Sequence, residues 1–251
     1  MCKSRSSFIT DKLLFLPSAS SRYETNLKKN MSSSSYRPIA NATPLGLLAF
    51  GTTTAILSAG LATIAEKDRN AALTVGFAFG FGGVVQFLAG IIEFIRNNEF
   101  SATAFCVYGG FWLSYGVWKI METTGVFIPD ANTLSYYAAA WAVVTFILLI
   151  QTFKINAAIA LLFFNLTFFF VLLSAAEQKS SDSFLMKFTG GWGIWTALSA
   201  VYAAAGELTN TTYEKELIPM GNFGEVDYGI ASPGKGESVV KKTEALTGNI
   251  A

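Results

Sequence analysis

Long stretches without charge organise this chain. No Asp, Glu, Lys or Arg occurs from Pro38 to Ala65, Asn70 to Ile92, Phe100 to Trp118, Ala131 to Phe153, Ile155 to Ala176 or Phe188 to Gly206. Each stretch supplies about 20 predominantly apolar residues, the length that crosses a ~30 Å hydrocarbon core as a helix. The pattern predicts six transmembrane helices over roughly 45–65, 71–95, 101–121, 134–153, 155–176 and 188–206. The fold class is therefore an all-α integral membrane protein. A buried helix of a water-soluble protein would be shorter and apolar on one stripe only.

The links reinforce this reading. Glu66-Lys67-Asp68-Arg69 separates the first two spans, Arg96-Asn97-Asn98-Glu99 the next two, and Lys154 alone the fourth from the fifth. The longer links are 122–133, with Gly125 and Pro129, and 177–187. Short links make sequential helices antiparallel neighbours in a compact bundle. An even number of spans puts both termini on one side of the bilayer. With both termini cytoplasmic, thirteen Lys and Arg lie inside against five outside, although eleven of the thirteen are in the tails and weigh less. Residues 1–40 are Ser-rich and basic and 209–251 are polar without apolar period, so both are expected to be disordered tails around a 41–208 membrane domain. Met31, followed by four serines, is a possible alternative start.

Composition narrows the function classes. Hydrophobic residues make up 52% and charged residues 14%, against about a quarter charged for soluble domains, which again places the chain in a membrane. Histidine is absent, so no His base, His triad or His metal ligand exists. The two cysteines, Cys2 and Cys106, support neither a disulfide framework nor a metal site. A net charge of +1 leaves no electrostatic footprint for nucleic acid. Without a nucleophile–base pair, metal cluster or phosphate loop, no enzymatic activity and no cofactor are expected.

Several residues carry candidate chemistry. Asn41 and Pro44 stand where the first helix begins, Asn as an N-cap and Pro in the first turn. The free N–H groups of such a start also attract carboxylates, which makes this a candidate substrate mouth. In the second span Gly82, Gln86, Gly90 and Glu93 share one face. Small residues there permit close helix approach, and the two polar side chains must face protein rather than lipid. Glu93, near the span end, reads as structural glue, as does Glu207 at the end of span six. Gln86, deeper, reads equally as glue or as path lining. Phe105, Tyr108, Trp112 and Tyr115 form an aromatic stripe on span three, and Trp192, Trp195 and Tyr202 another on span six. Such stripes usually serve packing or interfacial anchoring.

Specific motifs add to this. Asn41-Ala42-Thr43-Pro44-Leu45-Gly46-Leu47, the run Phe81 to Phe94 (FGGVVQFLAGIIEF), Asn98 to Phe105, Tyr108-Gly109-Gly110-Phe111-Trp112-Leu113-Ser114 and Ala205-Gly206-Glu207-Leu208 occur in an order and spacing that resemble the acetate uptake transporter family, also called GPR1/FUN34/YaaH or acetate/succinate permeases. The resemblance spans about residues 41–220. It implies six helices around a narrow path in each protomer, a homo-hexamer in the bilayer, and passage of acetate and related short monocarboxylates, with the plasma membrane as the expected location. It also implies an apolar constriction made by Phe50, Tyr108 and Leu166, with Thr53, Thr54, Asn165 and Thr167 offering hydrogen bonds on either side. Such a ring gates by narrowness and dewetting. The family opening usually reads Asn-Pro-Ala-Pro-Leu-Gly-Leu. Ala42 and Thr43 depart from it, and losing the first proline is expected to loosen the mouth. Ammonium export and a membrane acetate sensor are the alternatives, the latter requiring a structured cytoplasmic tail. A proton-coupled carrier, an anion channel and a facilitator of the neutral acid all fit the sequence. Selectivity among acetate, propionate, lactate and succinate is left open.

Overall fold

A computed structural model describes residues 39–181 and 183–223. The disordered tails expected at residues 1–38 and 224–251, and the alternative start at Met31, lie outside the described residues. From Asn41 onward the described chain forms one compact helical unit. Its helices are α1 (Thr43–Leu61), α2 (Lys67–Phe79), a π-helical segment (Gly80–Val85), α3 (Gln86–Ile95), α4 (Glu99–Thr123), α5 (Ala131–Thr152), α6 (Ala157–Ala176) and α7 (Phe184–Tyr213). The segment Arg69–Ile95 runs as one continuous rod, so the bundle has six rods at the six expected positions.

Local chemistry places the helix starts. Asn98, Asp130, Asn156 and Ser183 cap α4, α5, α6 and α7, each accepting a hydrogen bond from the backbone N–H three residues on. These are the side chains that satisfy orphan donors at helix N-termini. The bonds from Thr133 hold the Asp130 carboxyl below its ordinary range. Gly125, at φ 72°, makes the turn that leaves α4. Helix α1 breaks the pattern: its N-cap is Ala42, without a side-chain cap, and Asn41 stands one residue earlier.

Four rods, Thr43–Leu61, Arg69–Ile95, Ala131–Thr152 and Ala157–Ala176, are long and apolar enough to cross a membrane. Helices α4 and α7 have the length but a more polar composition, and much of that polarity is turned inward. Ser101 and Tyr108 of α4 and Thr189, Thr196 and Ser199 of α7 are buried. Hydroxyls on the internal face lower a helix's hydropathy without exposing a polar group to lipid. The outward faces are apolar: Val84, Leu88, Ile91, Phe94, Ile147 and Leu198 are all exposed. Aqueous solvent disfavours such a surface, which an acyl-chain environment accommodates.

Small residues set the closest packing. A Cβ added at Gly51 of α1 would lie 3.1 Å from the Ala197 carbonyl and 3.2 Å from Ala200 Cβ of α7. One added at Gly90 would lie 2.6 Å from Cys106 Sγ and 2.8 Å from Cys106 N, so the α3–α4 approach within the protomer requires glycine there. Around them the aromatic stripe of α4 forms the bundle core: Phe105, Tyr108, Trp112 and Tyr115 are all buried. The second expected stripe behaves differently, with Trp195 and Tyr202 exposed.

The carboxyl end corrects one boundary. The expectation ended the folded domain at 208, but α7 runs on to Tyr213 and the chain then doubles back. Asn210 Oδ1 accepts the Leu217 and Ile218 N–H groups, and its Nδ2 donates to the Ile218 carbonyl. Met220 is buried, and the Met220 and Gly221 carbonyls accept the Ala158 and Ala157 N–H groups at the start of α6. Residues 217–222 thus form a strap over a helix N-terminus. The sequence looked tail-like because the strap is anchored by its backbone, by Asn210, Tyr202 and Glu216, and by the single buried Met220, not by an apolar period.

Candidate functional site

Two cavities lie toward opposite ends of the bundle and share lining residues near its middle. The smaller, about 30 Å³, lies at the end where α1, α4 and α6 begin and is bordered by Thr43, Ser101, Ile159 and Gln86. The larger, about 620 Å³, lies at the other end, among Leu61, Thr54, Trp118, Glu122 and Leu173. Phe50 and Leu166 border both. Tyr108 borders the small one, and its ring centroid is 5.6 Å from that of Phe50. The three residues come from α1, α4 and α6 of a single chain, all buried. They converge where the two cavities approach one another.

The Tyr108 ring is held in place. Its centroid is 6.3 Å from that of Phe163 and 6.1 Å from that of Trp141. Its hydroxyl donates to Thr145 Oγ1 at 2.8 Å, and Thr145 donates to the Trp141 carbonyl at 2.6 Å. The hydroxyl is therefore committed to α5, and Tyr108 borders the small cavity beside Phe50 and Leu166. Nothing in the sequence singled out Thr145. A threonine inside an apolar helix gives no signal until its partner on another helix is known.

The remaining expected path residues divide. Thr54 borders the large cavity, and its Oγ1 has no hydrogen-bond partner. Gln86 borders the small one, and its Oε1 also lacks a partner. Thr53, Asn165 and Thr167 border neither. Thr53 donates to the Ala49 carbonyl within its own helix, and Thr167 donates to the Phe163 carbonyl in the same way. Asn165 points to α7: its Nδ2 donates to Ser199 Oγ at 3.0 Å, and its carbonyl accepts the Trp192 indole N–H at 3.0 Å. Thr43 and Ser101, whose hydroxyls lie 3.4 Å apart at the small cavity, were not anticipated. The π-helical segment was not anticipated either. Its extra residue per turn rotates the rod, and Gly82 and Gln86 are both buried across it.

Asn41 and Pro44, expected at a substrate mouth, border neither cavity. Pro44 lies in the first turn of α1. Asn41 belongs to a polar cluster at this end of the bundle. The Glu93 carboxylate, 0% exposed, accepts the Ala42 N–H at 2.7 Å, Arg96 Nη1 at 2.7 and 2.8 Å, and Asn98 Nδ2 at 2.7 Å. Asn41 Oδ1 accepts from Arg96 Nη1 and from the Thr43 N–H, and its Nδ2 donates to Glu207 Oε1. The start of α1 does hold a carboxylate, but it is the protein's own. Three donor groups making four hydrogen bonds around a fully buried anion supply what burial otherwise removes. The cluster joins α1, α3, the α3–α4 turn and α7. The departure at position 42 also takes on a different meaning. Alanine supplies the N–H that Glu93 accepts, which proline lacks, so this mouth is tied down rather than loosened.

Among the described residues no group of three or more His, Cys, Asp or Glu is placed to hold a metal ion.

The family model described as "GPR1/FUN34/yaaH family" matches residues 23–221. The succinate-acetate/proton symporter SatP of Escherichia coli (strain K12) is 32% identical over 184 residues, covering 73% of this chain and 96% of the relative. Acetate permease A of Emericella nidulans is 30% identical over 234 residues, covering 86% and 76%. The solved structure of the bacterial acetate channel SatP superposes with a TM-score of 0.68 at 32% identity, covering 72% of this chain and 99% of that one.

Proposed function

The chain belongs to the GPR1/FUN34/yaaH family, and on that premise we propose that it carries acetate and related short monocarboxylates across a membrane. The path runs from the small cavity to the large one through the ring of Phe50, Tyr108 and Leu166. One observation carries this reading: two cavities at opposite ends of the bundle share Phe50 and Leu166 as their common wall. A wall of three apolar faces excludes a hydrated ion by dewetting and admits a small solute with an apolar methyl group. In this reading all six rods span the bilayer, α4 and α7 included, because their polar side chains are internal. The protein works at the plasma membrane as a homo-hexamer with both termini in the cytoplasm.

Ammonium export is the second reading. Glu66 and Glu177 border the large cavity beside Tyr137, a lining that can attract a cation, although Glu122 and Trp118 there are already met by Lys119. The ring itself carries no carboxylate, and for that reason we favour the monocarboxylate.

The test is flux of labelled acetate into liposomes holding the purified full chain, with labelled methylammonium in parallel. Acetate flux above that of protein-free vesicles, with none for methylammonium, supports the first reading. The reverse supports the second. Flux of neither overturns both.

A further inference from the structure

The small cavity is narrower than the solute that the transport reading sends through it. At about 30 Å³ it has room for about two water molecules, and acetate has twice as many non-hydrogen atoms. One of its walls must therefore give. At this end α1, α3 and α4 are pinned together: Ala42, before α1, and Asn98, the cap of α4, both donate to the buried Glu93 carboxylate of α3. Helix α6 has no part in that cluster. Among the described residues no α-carbon of α6 lies within 8 Å of one in α1 or α4, and of the helices only α5 and α7 pack on its backbone. It faces α1 and α4 across the cavity, which it lines with Ile159, Leu162, Phe163 and Leu166. The start of α6 is held instead by the strap. The Gly221 and Met220 carbonyls accept the Ala157 and Ala158 N–H groups at 2.9 and 3.1 Å, and Asn156 pairs with Asn222 alongside. Met220 is buried, its sulfur occupying the space that a Cβ on Gly206 of α7 would need, while Leu217, Pro219 and Gly221 are exposed. Hydrogen bonds to a charged group are roughly twice as strong as neutral ones. Two neutral bonds from a surface segment with one buried side chain therefore open before four bonds to a buried carboxylate do.

We propose that α6 is the wall that yields, that the strap is the latch holding it at rest, and that Met220 is the residue that positions the latch. The inference rests on the transport reading above and deepens it by naming the moving part. Ala157 and Ala158 are the first two residues of α6, whose N–H groups have no partner within their own helix. Letting go of the strap therefore breaks no rung of α6, and the helix moves as a rod. Asn156 Oδ1 accepts the Ile159 N–H and stays with α6 in either position. The strap stays with α7: Tyr202 donates to the Pro219 carbonyl at 2.6 Å, and Asn210 holds Leu217 and Ile218. The same two surfaces can then meet again once the solute has passed. Leu166 lies on the same rod as Ile159, so the movement that widens the small cavity also draws back one side of the ring. A solute that fits only the widened cavity shifts the population toward the unlatched state.

Amide hydrogen exchange on the purified full chain in liposomes reads the latch without measuring flux. The Ala157 and Ala158 amides should exchange at least about tenfold faster than the Ala42 amide, a factor equivalent to roughly 1.4 kcal/mol of opening free energy. Sodium acetate, against sodium chloride at the same concentration, should speed them further and leave Ala42 unchanged. Ala157 and Ala158 amides as protected as that of Ala42, or indifferent to acetate, overturn the inference. Met220→Ala tests the positioning role. It should raise exchange at Ala157 and Ala158 about tenfold again, and raise the ratio of propionate to acetate uptake, protein-free vesicles being subtracted. Met220→Leu, which keeps the volume, should restore both readings. A merely structural Met220 would speed exchange across the whole bundle, Ala42 included, and lower both uptakes with their ratio unchanged, and that result also overturns the inference. If Met220→Ala fails to assemble, wild-type exchange with and without acetate decides by itself. Failure of the transport reading is seen separately, as wild-type vesicles that take up neither acid. Failure of the latch leaves wild-type uptake intact.

Discussion

Leu166 is the most informative residue to change. It is 2% exposed and borders both cavities, so its side chain is part of the partition between them. Leu166→Ala removes three apolar carbons from that partition. At about 0.8 kcal/mol per group, the penalty for bringing a polar solute through the ring drops by on the order of 2 kcal/mol. If passage through the ring limits the rate, flux rises up to about thirtyfold. Propionate and lactate should gain more than acetate, because the ring's width limits them more. The stability cost should fall within the range for a buried Leu→Ala change, about 2–5 kcal/mol. Leu166→Trp works in the opposite direction. The large cavity, about 620 Å³, gives the indole room to extend, so the bundle should stay folded while the path closes. Initial rates of labelled acetate, propionate and lactate uptake into liposomes measure both effects. Thermal unfolding in detergent confirms that each variant is intact. The reasoning fails if the alanine and tryptophan variants, both folded, transport at the wild-type rate.

Three further changes probe the framework. Tyr108→Phe keeps the ring but leaves Thr145 without its 2.8 Å donor, so it should cost about 1 kcal/mol of stability and retain most flux; a complete loss of transport would assign the hydroxyl a direct role. Ala42→Pro deletes the N–H that donates to the buried Glu93 carboxylate, and at φ −93° the residue sits outside proline's preferred range. It should cost about 1.5–3 kcal/mol, read as a lower melting temperature that the Ala42→Ser variant, which keeps the N–H, does not share. Gly90→Leu forces a side chain against Cys106 across the α3–α4 contact and should destabilise the protomer itself by about 1–3 kcal/mol or more, seen as aggregation or early melting in detergent.

The sequence by itself determined where the rods are. In lipid the backbone must satisfy its own hydrogen bonds, so charge-free runs of about 20 residues have little choice but to be helices. Their starts fall two to four residues from the expected bounds, because Asn98, Asp130, Asn156 and Ser183 cap N–H groups three residues away and the charge-free runs do not register that chemistry. The stripe of Gly82, Gln86, Gly90 and Glu93 also came through as a buried face, because helical spacing is a property of one element. The ring residues were suggested by motif resemblance, and apolar side chains alone would not have distinguished a path from a core.

What needed the tertiary structure was every choice of partner. Thr53 and Thr54 are adjacent in sequence, yet one bonds to its own helix while the other borders a cavity. Asn41 was read as a mouth for a foreign carboxylate and proved to serve the protein's own ion cluster, because Glu93, 52 residues away, reaches the same helix start. Thr145 and the strap at 217–222 carry no local pattern at all. A hydrogen bond between two helices depends on their register and distance, and these are set by the packing of the whole bundle. The cavities belong to the same category: a void is defined by what several rods fail to fill, and no single stretch of sequence records it.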